Sequence, residues 1–131
     1  MARRILSAAL AAVIALASAG GARAAAVQGV TDTEVVIGSH QDLSGPIASW
    51  GVPVKNGMQL AADEINAAGG IHGRKLKLIV EDSGYDPKKA VLATQKLLSR
   101  DGIFIMAGSM GTPTVLATMP LVLQKGLPHV F

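Results

Sequence analysis

Lys75-Leu76-Lys77-Leu78-Ile79-Val80-Glu81-Asp82, then Asp86-Pro87, then Ile103-Phe104-Ile105-Met106-Ala107 fix the architecture expected of this chain. The first run alternates and then turns continuously apolar, as a strand does on entering a covered sheet. Asp86 offers a carboxylate to free amides, and Pro87 suits a first helical position, so a helix starts there. Ala90, Val91, Thr94, Leu97 and Leu98 supply its buried stripe, and Asp101-Gly102 stops it. The third run is apolar throughout, as parallel strands covered on both faces are. Strand, helix and strand in that order make a βαβ unit, which closes a parallel sheet with a right-handed crossover.

The same alternation extends both ways. Upstream, Glu34-Val35-Val36-Ile37-Gly38-Ser39 reads as a buried strand. Val54, Met58, Ala61, Ala62 and Ile65 recur at helical spacing, with Lys55, Gln59, Asp63 and Asn66 on the opposite face. Gly69-Gly70 ends that helix. Downstream, a third helix runs to about Lys125, with Pro120 expected to kink it and Gly126 to end it. Leu127 to Phe131 begins a fourth strand. The fold class expected is α/β, a Rossmann-like parallel sheet flanked by helices.

The N-terminus belongs to export rather than to the fold. Arg3 and Arg4 precede an apolar run from Ile5 to Ala19, and Ala22-Arg23-Ala24 is an A-x-A cleavage pattern. The run is shorter than the roughly 20 residues of a membrane-spanning helix. Residues 1–24 are therefore expected to be a signal peptide, cleaved after Ala24 or Ala26, and the product to be soluble and exported. Of the 12 basic residues, Arg3, Arg4 and Arg23 leave with that segment, so 9 remain against 9 acidic ones. The basic balance of the whole chain is thus no argument for nucleic acid. With no cysteine, neither a disulfide nor a lipid anchor on cysteine is available.

Two loops at strand ends carry the candidate chemistry, since open α/β sheets bind ligands there. The first is Asp42 to Gly51. Ser44 offers a hydroxyl, Gly45 and Gly51 allow close backbone approach, and Trp50 is either a ligand wall or a cap on the core. The second is Gly108 to Pro113. Ser109, Gly111 and Thr112 lie where a strand passes to a helix N-terminus, whose free amides favour an anion. Thr112 is an N-cap with Pro113 at N1, an anion contact, or both. His40 ends the first strand near this cleft, and His72 reads as a solvated turn residue. Asp82 is a candidate for holding loops together. No G-x-G-x-x-G or Walker A pattern occurs, so no nucleotide cofactor is expected. His40, His72 and His129 lack metal-ligand spacing, and no nucleophile with a positioned base can be assembled. No catalytic residue, metal or cofactor is assigned, and no enzyme activity is expected.

Taken together, Ile37-Gly38, Leu43-Ser44-Gly45-Pro46, Trp50-Gly51, Asn56-Gly57, Ala61 to Asn66, Ala68 to Leu76, Asp82, Asp86-Pro87, Ala90 and Gly102 resemble a known family. It is that of the periplasmic substrate-binding proteins of ABC importers, in the leucine/isoleucine/valine-binding branch. The resemblance implies two α/β lobes with a ligand between them, and delivery of an amino acid or related small carboxylate to a membrane permease. It implies that the exported product is periplasmic, that Thr112, beside Gly111, meets the ligand carboxylate, and that Trp50 stands where some members place a tryptophan near the ligand side chain. Pro113 departs from the run of small hydroxyl residues common in the family's third loop, which removes donors. The family's chains are much longer, so residues 25–131 are expected to be a truncated first lobe. The same fold also serves as the ligand-sensing part of receptors and regulators, and a truncated product can lack a function of its own.

Overall fold

The computed structural model describes residues 26–130. The expected signal peptide lies outside them. Four strands and three helices alternate: β1 (Glu34–Gln41), α1 (Ala48–Ala67), β2 (Lys75–Asp82), α2 (Pro87–Ser99), β3 (Ile105–Ala107), α3 (Thr112–Gln124) and β4 (His129–Val130). The sheet is parallel with order β2-β1-β3-β4. The expected α/β parallel sheet is therefore the one observed. β1 and β2 are in register over all eight residues, from Glu34 opposite Lys75 to Gln41 opposite Asp82.

Side chains alternate across β1, and this divides the molecule into layers. Val36 and Gly38 face α2 and α3. Val36, Leu97, Leu98, Ile103, Met106 and Val122 form the core on that side. Ile103 fills the space above Gly38, where an added Cβ would lie 2.7 Å from its Cδ1. α1 covers the other face, against β1 and β2. The chain thus winds one way from β1 to β2 and the other way from β2 to β3 and β4. This reversal opens a crevice between the carboxyl ends of β1 and β3.

Local chemistry sets the element ends. The Asp86 carboxylate accepts from the Lys89 amide at 2.9 Å, with Pro87 in the first turn. That is the start expected of α2. Past α1, Gly69 and Gly70 adopt φ of 106° and 80°, and the Gly70 amide donates to the Ile65 carbonyl.

Expectations for three elements need correction. β1 continues two residues past Ser39, because His40 and Gln41 keep their pairing with Glu81 and Asp82. α1 starts at Ala48 rather than near Val54, and it runs through Gly51 and Pro53. Of its expected buried stripe only Ala62 is fully covered; Val54 and Ile65 are exposed, and Gly51 is buried instead. β3 spans Ile105–Ala107 only, since Ile103 gives its amide to Leu97 at the end of α2. α3 continues through Pro120, which removes one amide donor there.

Candidate functional site

The loop after β1 is held by two carboxylates. Asp42, fully buried, accepts from the Gly45 amide at 2.5 Å and the Ile47 amide at 2.7 Å. It serves the start of α1, where Ile47 has no side-chain cap of its own. Asp82, at the end of β2, accepts from the Leu43 amide (2.8 Å), the Ser44 hydroxyl (2.5 Å) and the Gly84 amide (2.9 Å). It ties the β1 and β2 loops together, the role expected of it.

The glycines of this loop make room for the chain itself. A Cβ on Gly45 would lie 2.4 Å from the Gly84 carbonyl oxygen, and one on Gly51 would lie 1.9 Å from the Asp42 carbonyl oxygen. Close approach was expected of both residues, and here it is backbone to backbone. Trp50, expected in the loop, stands in the first turn of α1 and is 70% exposed. It does not cap the core.

The loop after β3 is anchored to β1 through a residue that the crevice does not expose. The His40 amide donates to the buried Ser109 hydroxyl at 3.4 Å, and the Met110 amide donates to the His40 carbonyl at 3.3 Å. Gly111, not Thr112, is the N-cap of α3, with φ of 105°. An added Cβ there would lie 2.6 Å from the Thr114 hydroxyl and 2.9 Å from the Tyr85 ring. Thr112 is the first helical residue and is exposed, with Pro113 behind it. Neither the Thr112 hydroxyl nor the Thr112 and Thr114 amides have an acceptor or donor among the described residues. Thr114 is buried, and its hydroxyl donates to the Met110 and Gly111 carbonyls at 2.9 and 2.8 Å.

The five candidate residues therefore gather at one edge of the sheet, in unequal states. The hydroxyls of Ser44 and Ser109 are engaged by the scaffold. Thr112 and Trp50 face outward, and Gly111 shapes the bend that presents Thr112. His40, near the end of β1 and only a secondary candidate for lining the cleft, is fully buried on the α3 side, with Nε2 3.0 Å from the Thr118 hydroxyl. His72 is exposed in a turn with φ of 50°, as expected. The sequence reading missed Asp42, Tyr85 and Thr114. Asp42, three residues ahead of a Gly-Pro turn, carried a legible Asx-turn signal. Tyr85 carried none.

Electrostatics follow from these contacts. Partial burial alone would raise the Asp82 pKa. The Ser44 hydroxyl, the Leu43 and Gly84 amides and the nearby Lys89 outweigh it and hold the carboxyl below its ordinary 3.8. A depressed acid stabilises the folded state above the unfolded value, and that contribution is lost as pH falls through the folded one. Asp82→Ala should cost about 1 kcal/mol at neutral pH, given its exposure. The cost should shrink as pH falls below 3.8, where the unfolded chain takes up the proton first, and vanish below the lower folded value, where the native carboxyl is neutralised as well. Urea unfolding of both proteins at pH 7 and pH 3 measures it; an equal cost at both pH values would contradict the assignment.

Among the described residues, no three His, Asp or Glu side chains are placed to hold a metal ion, and no helix is long and apolar enough to cross a membrane. Grooves also lie between α2 and α3; one of about 550 Å³ is lined by Leu98, Leu121 and Lys125 among others. The strand-end edge is an open wall.

Residues 34–131 match the family model described as "Periplasmic binding protein". The Leu/Ile/Val-binding protein BraC3 of Rhizobium johnstonii is 36% identical over 94 residues, covering 72% of this chain and 25% of the relative. The branched-chain amino acid transporter substrate-binding protein of Streptococcus pneumoniae, crystallised with isoleucine, superposes with a TM-score of 0.71 at 29% identity. That match covers 74% of this chain and 28% of the other. A fatty acid ABC transporter substrate-binding protein of Thermomonospora curvata superposes with a TM-score of 0.63 at 30% identity, over 77% and 26% of the two chains. The chain spans about a quarter of the length of the curated relatives it matches. With a parallel sheet in the order β2-β1-β3-β4, a switch-point crevice and a family match over nearly all the described residues, the chain belongs to the periplasmic binding protein family, whose members bind solutes.

Proposed function

We propose that this chain supplies one wall of a ligand cleft in an exported solute-binding protein. That protein captures a small carboxylate with an apolar tail, an amino acid or a close relative, and hands it to the permease of an ABC importer. The observation that carries this reading is the N-terminus of α3. There an exposed Thr112 hydroxyl and the unpaired Thr112 and Thr114 amides converge beside the switch-point crevice. The positive end of the helix dipole adds to their pull on an anion. Trp50, exposed at the start of α1, is the apolar surface that the ligand's tail would meet. Ser44 and Ser109 act by holding the two loops in place. Isoleucine and fatty acids, the ligands named for two structural relatives, share a carboxylate and an apolar tail. Export by the signal peptide, cleaved after Ala24 or Ala26, places the protein in the periplasm.

Calorimetric titration of the full-length protein with L-leucine, L-isoleucine, benzoate and octanoate tests the reading. At least one should bind, and its amide should bind far more weakly. Thr112→Val should weaken binding about tenfold, the worth of one hydrogen bond to a charged group. Absence of binding by all four, or equal binding of acid and amide, would refute it.

A further inference from the structure

The strongest unexplained feature is a buried histidine placed between the two halves of the candidate site. His40 is the penultimate residue of β1, and none of its surface is exposed. Its backbone takes both ends of one contact with the β3–α3 loop: the amide donates to Ser109 Oγ, and the carbonyl accepts from the Met110 amide. Its ring takes a second contact, with Thr118 one and a half turns into α3. The Thr118 hydroxyl also lies 3.2 Å from the Val115 carbonyl, and in the arrangement that satisfies both contacts it donates there and accepts from the imidazole. In that arrangement the proton is on Nε2 and the lone pair on Nδ1, which has no hydrogen-bond partner among the described residues.

One residue therefore grips both the loop that precedes α3 and the body of α3. Polar groups this deep are costly unless the surroundings specify them, and burial of a histidine here is not required by the sheet. An apolar side chain would fill the same core position. What the imidazole adds is a fixed distance between β1 and the first half of α3.

We propose that His40 is a positioning residue, which locks the β3–α3 loop and the first turns of α3 in the geometry that presents Thr112 to an anion. The inference rests on the ligand reading above for its functional meaning, though not for its structural content. A helix held only by apolar contacts can slide or rotate by fractions of an ångström. A donor-to-acceptor contact at 3.0 Å from a strand-borne ring resists this movement.

The proposal carries a pH dependence, because a proton added to Nδ1 would sit in the core without an acceptor. The groups that face the ring from each neighbouring element are few. β4 contributes His129, itself held below its ordinary pKa by burial. β2 contributes Glu81, the register partner of His40, which is already ion-paired with Lys96 of α2. The buried residues of α2 are Ala90, Ala93, Thr94, Leu97 and Leu98, none of them titratable, and α3 carries no charged side chain. Acidification thus loosens α3 with no nearby free carboxylate to stabilise the imidazolium.

Native-state hydrogen exchange on the full ligand-free chain, with Thr118→Val and Thr118→Ser alongside the parent, tests the lock. Thr118→Val keeps the shape but removes the acceptor. The Met110 and Val115 amides should exchange about tenfold faster, while β2 amides keep their protection; Thr118→Ser should restore both. In parallel, L-leucine binding to the full-length protein is measured from pH 7.5 to 4. The parent should hold its affinity down to about pH 5 and weaken about twofold as pH reaches 4, where the folded imidazole is half protonated, and His40→Gln should be weaker at pH 7.5 but lack this step. Unchanged Met110 and Val115 exchange in Thr118→Val overturns the proposal whether or not leucine binds. Exchange that responds as stated, in a parent that binds none of the ligands titrated above, overturns the ligand reading and leaves the lock standing.

Discussion

Gly51→Ala should cost about 4 kcal/mol or more, enough to stop the chain accumulating as folded protein, although Gly51 lies in a helix where alanine is normally favoured. Its φ is not among the left-handed ones, so strain in its own backbone is not the reason. The reason is contact. The new Cβ would lie 1.9 Å from the Asp42 carbonyl oxygen, 2.8 Å from its carbonyl carbon and 3.1 Å from its nitrogen. All three are backbone atoms, and neither side can yield cheaply. The residue before Asp42 is held by pairing with β2, and the Asp42 carboxylate grips the Gly45 and Ile47 amides. Relief requires the first turn of α1 to lift away, which breaks those bonds and exposes buried polar groups. Gly57 supplies the control. It lies in the same helix with nothing within 4 Å of its added Cβ, so Gly57→Ala should stabilise by about 0.5–1 kcal/mol. Urea and thermal unfolding of both variants give the comparison. A Gly51→Ala midpoint equal to the parent's would mean that α1 does not start where described.

The second large effect is acid destabilisation through His40. Burial, and then the neighbouring His129, depress its pKa from 6.5 to about 4. The unfolded chain therefore takes up a proton near pH 6.5 that the folded chain refuses until about pH 4. Stability is full above the upper value, falls between the two, and loses nothing more from this residue below the lower one. The whole step is on the order of 3 kcal/mol, at 1.36 kcal/mol per pKa unit. His129, lowered by burial, acts in the same direction. His40→Gln cannot titrate, so its stability should change far less between pH 7 and pH 4.5, while the carboxylate contributions stay common to both proteins. Parallel curves for the parent and His40→Gln over that range would place the imidazole in water rather than in the core.

His40 also illustrates where reading the sequence stopped. A polar residue at a strand end can line a cleft or turn into the core, and nothing nearby in sequence decides between them. The actual partner of His40, Thr118, is 78 residues away on α3, where Thr114 and Thr118 share one buried face. Ser39, His40, Gln41 and Asp42 are four consecutive polar residues, all fully buried. Their partners come from Ser109, Gly108, Thr118 and the Gly45 and Ile47 amides. Ser44 and Ser109 show the same limit: the residue types were right for binding an anion, but the nearest unpaired groups were on the protein itself. Trp50 differs in kind. Its place turned on where α1 begins, and helix propensity argues against a start that takes in Gly51, Pro53 and Gly57.

What was legible without coordinates rests on short-range physics. The apolar runs of β1 to β3, the Asp86-Pro87 start of α2 and the glycine stops after α1, α2 and α3 are each set by neighbours a few residues apart. Their alternation implies a parallel sheet, because a strand–helix–strand chain has few other ways to bury both its periodicities. The strand order, the switch-point crevice and the list of hydroxyls still available to a ligand came only with the tertiary structure. A hydrogen bond has few places for partners, and whichever group the fold brings within about 3 Å takes them. Asp82 thereby claimed Ser44 and His40 claimed Ser109, while Thr112 was left facing outward.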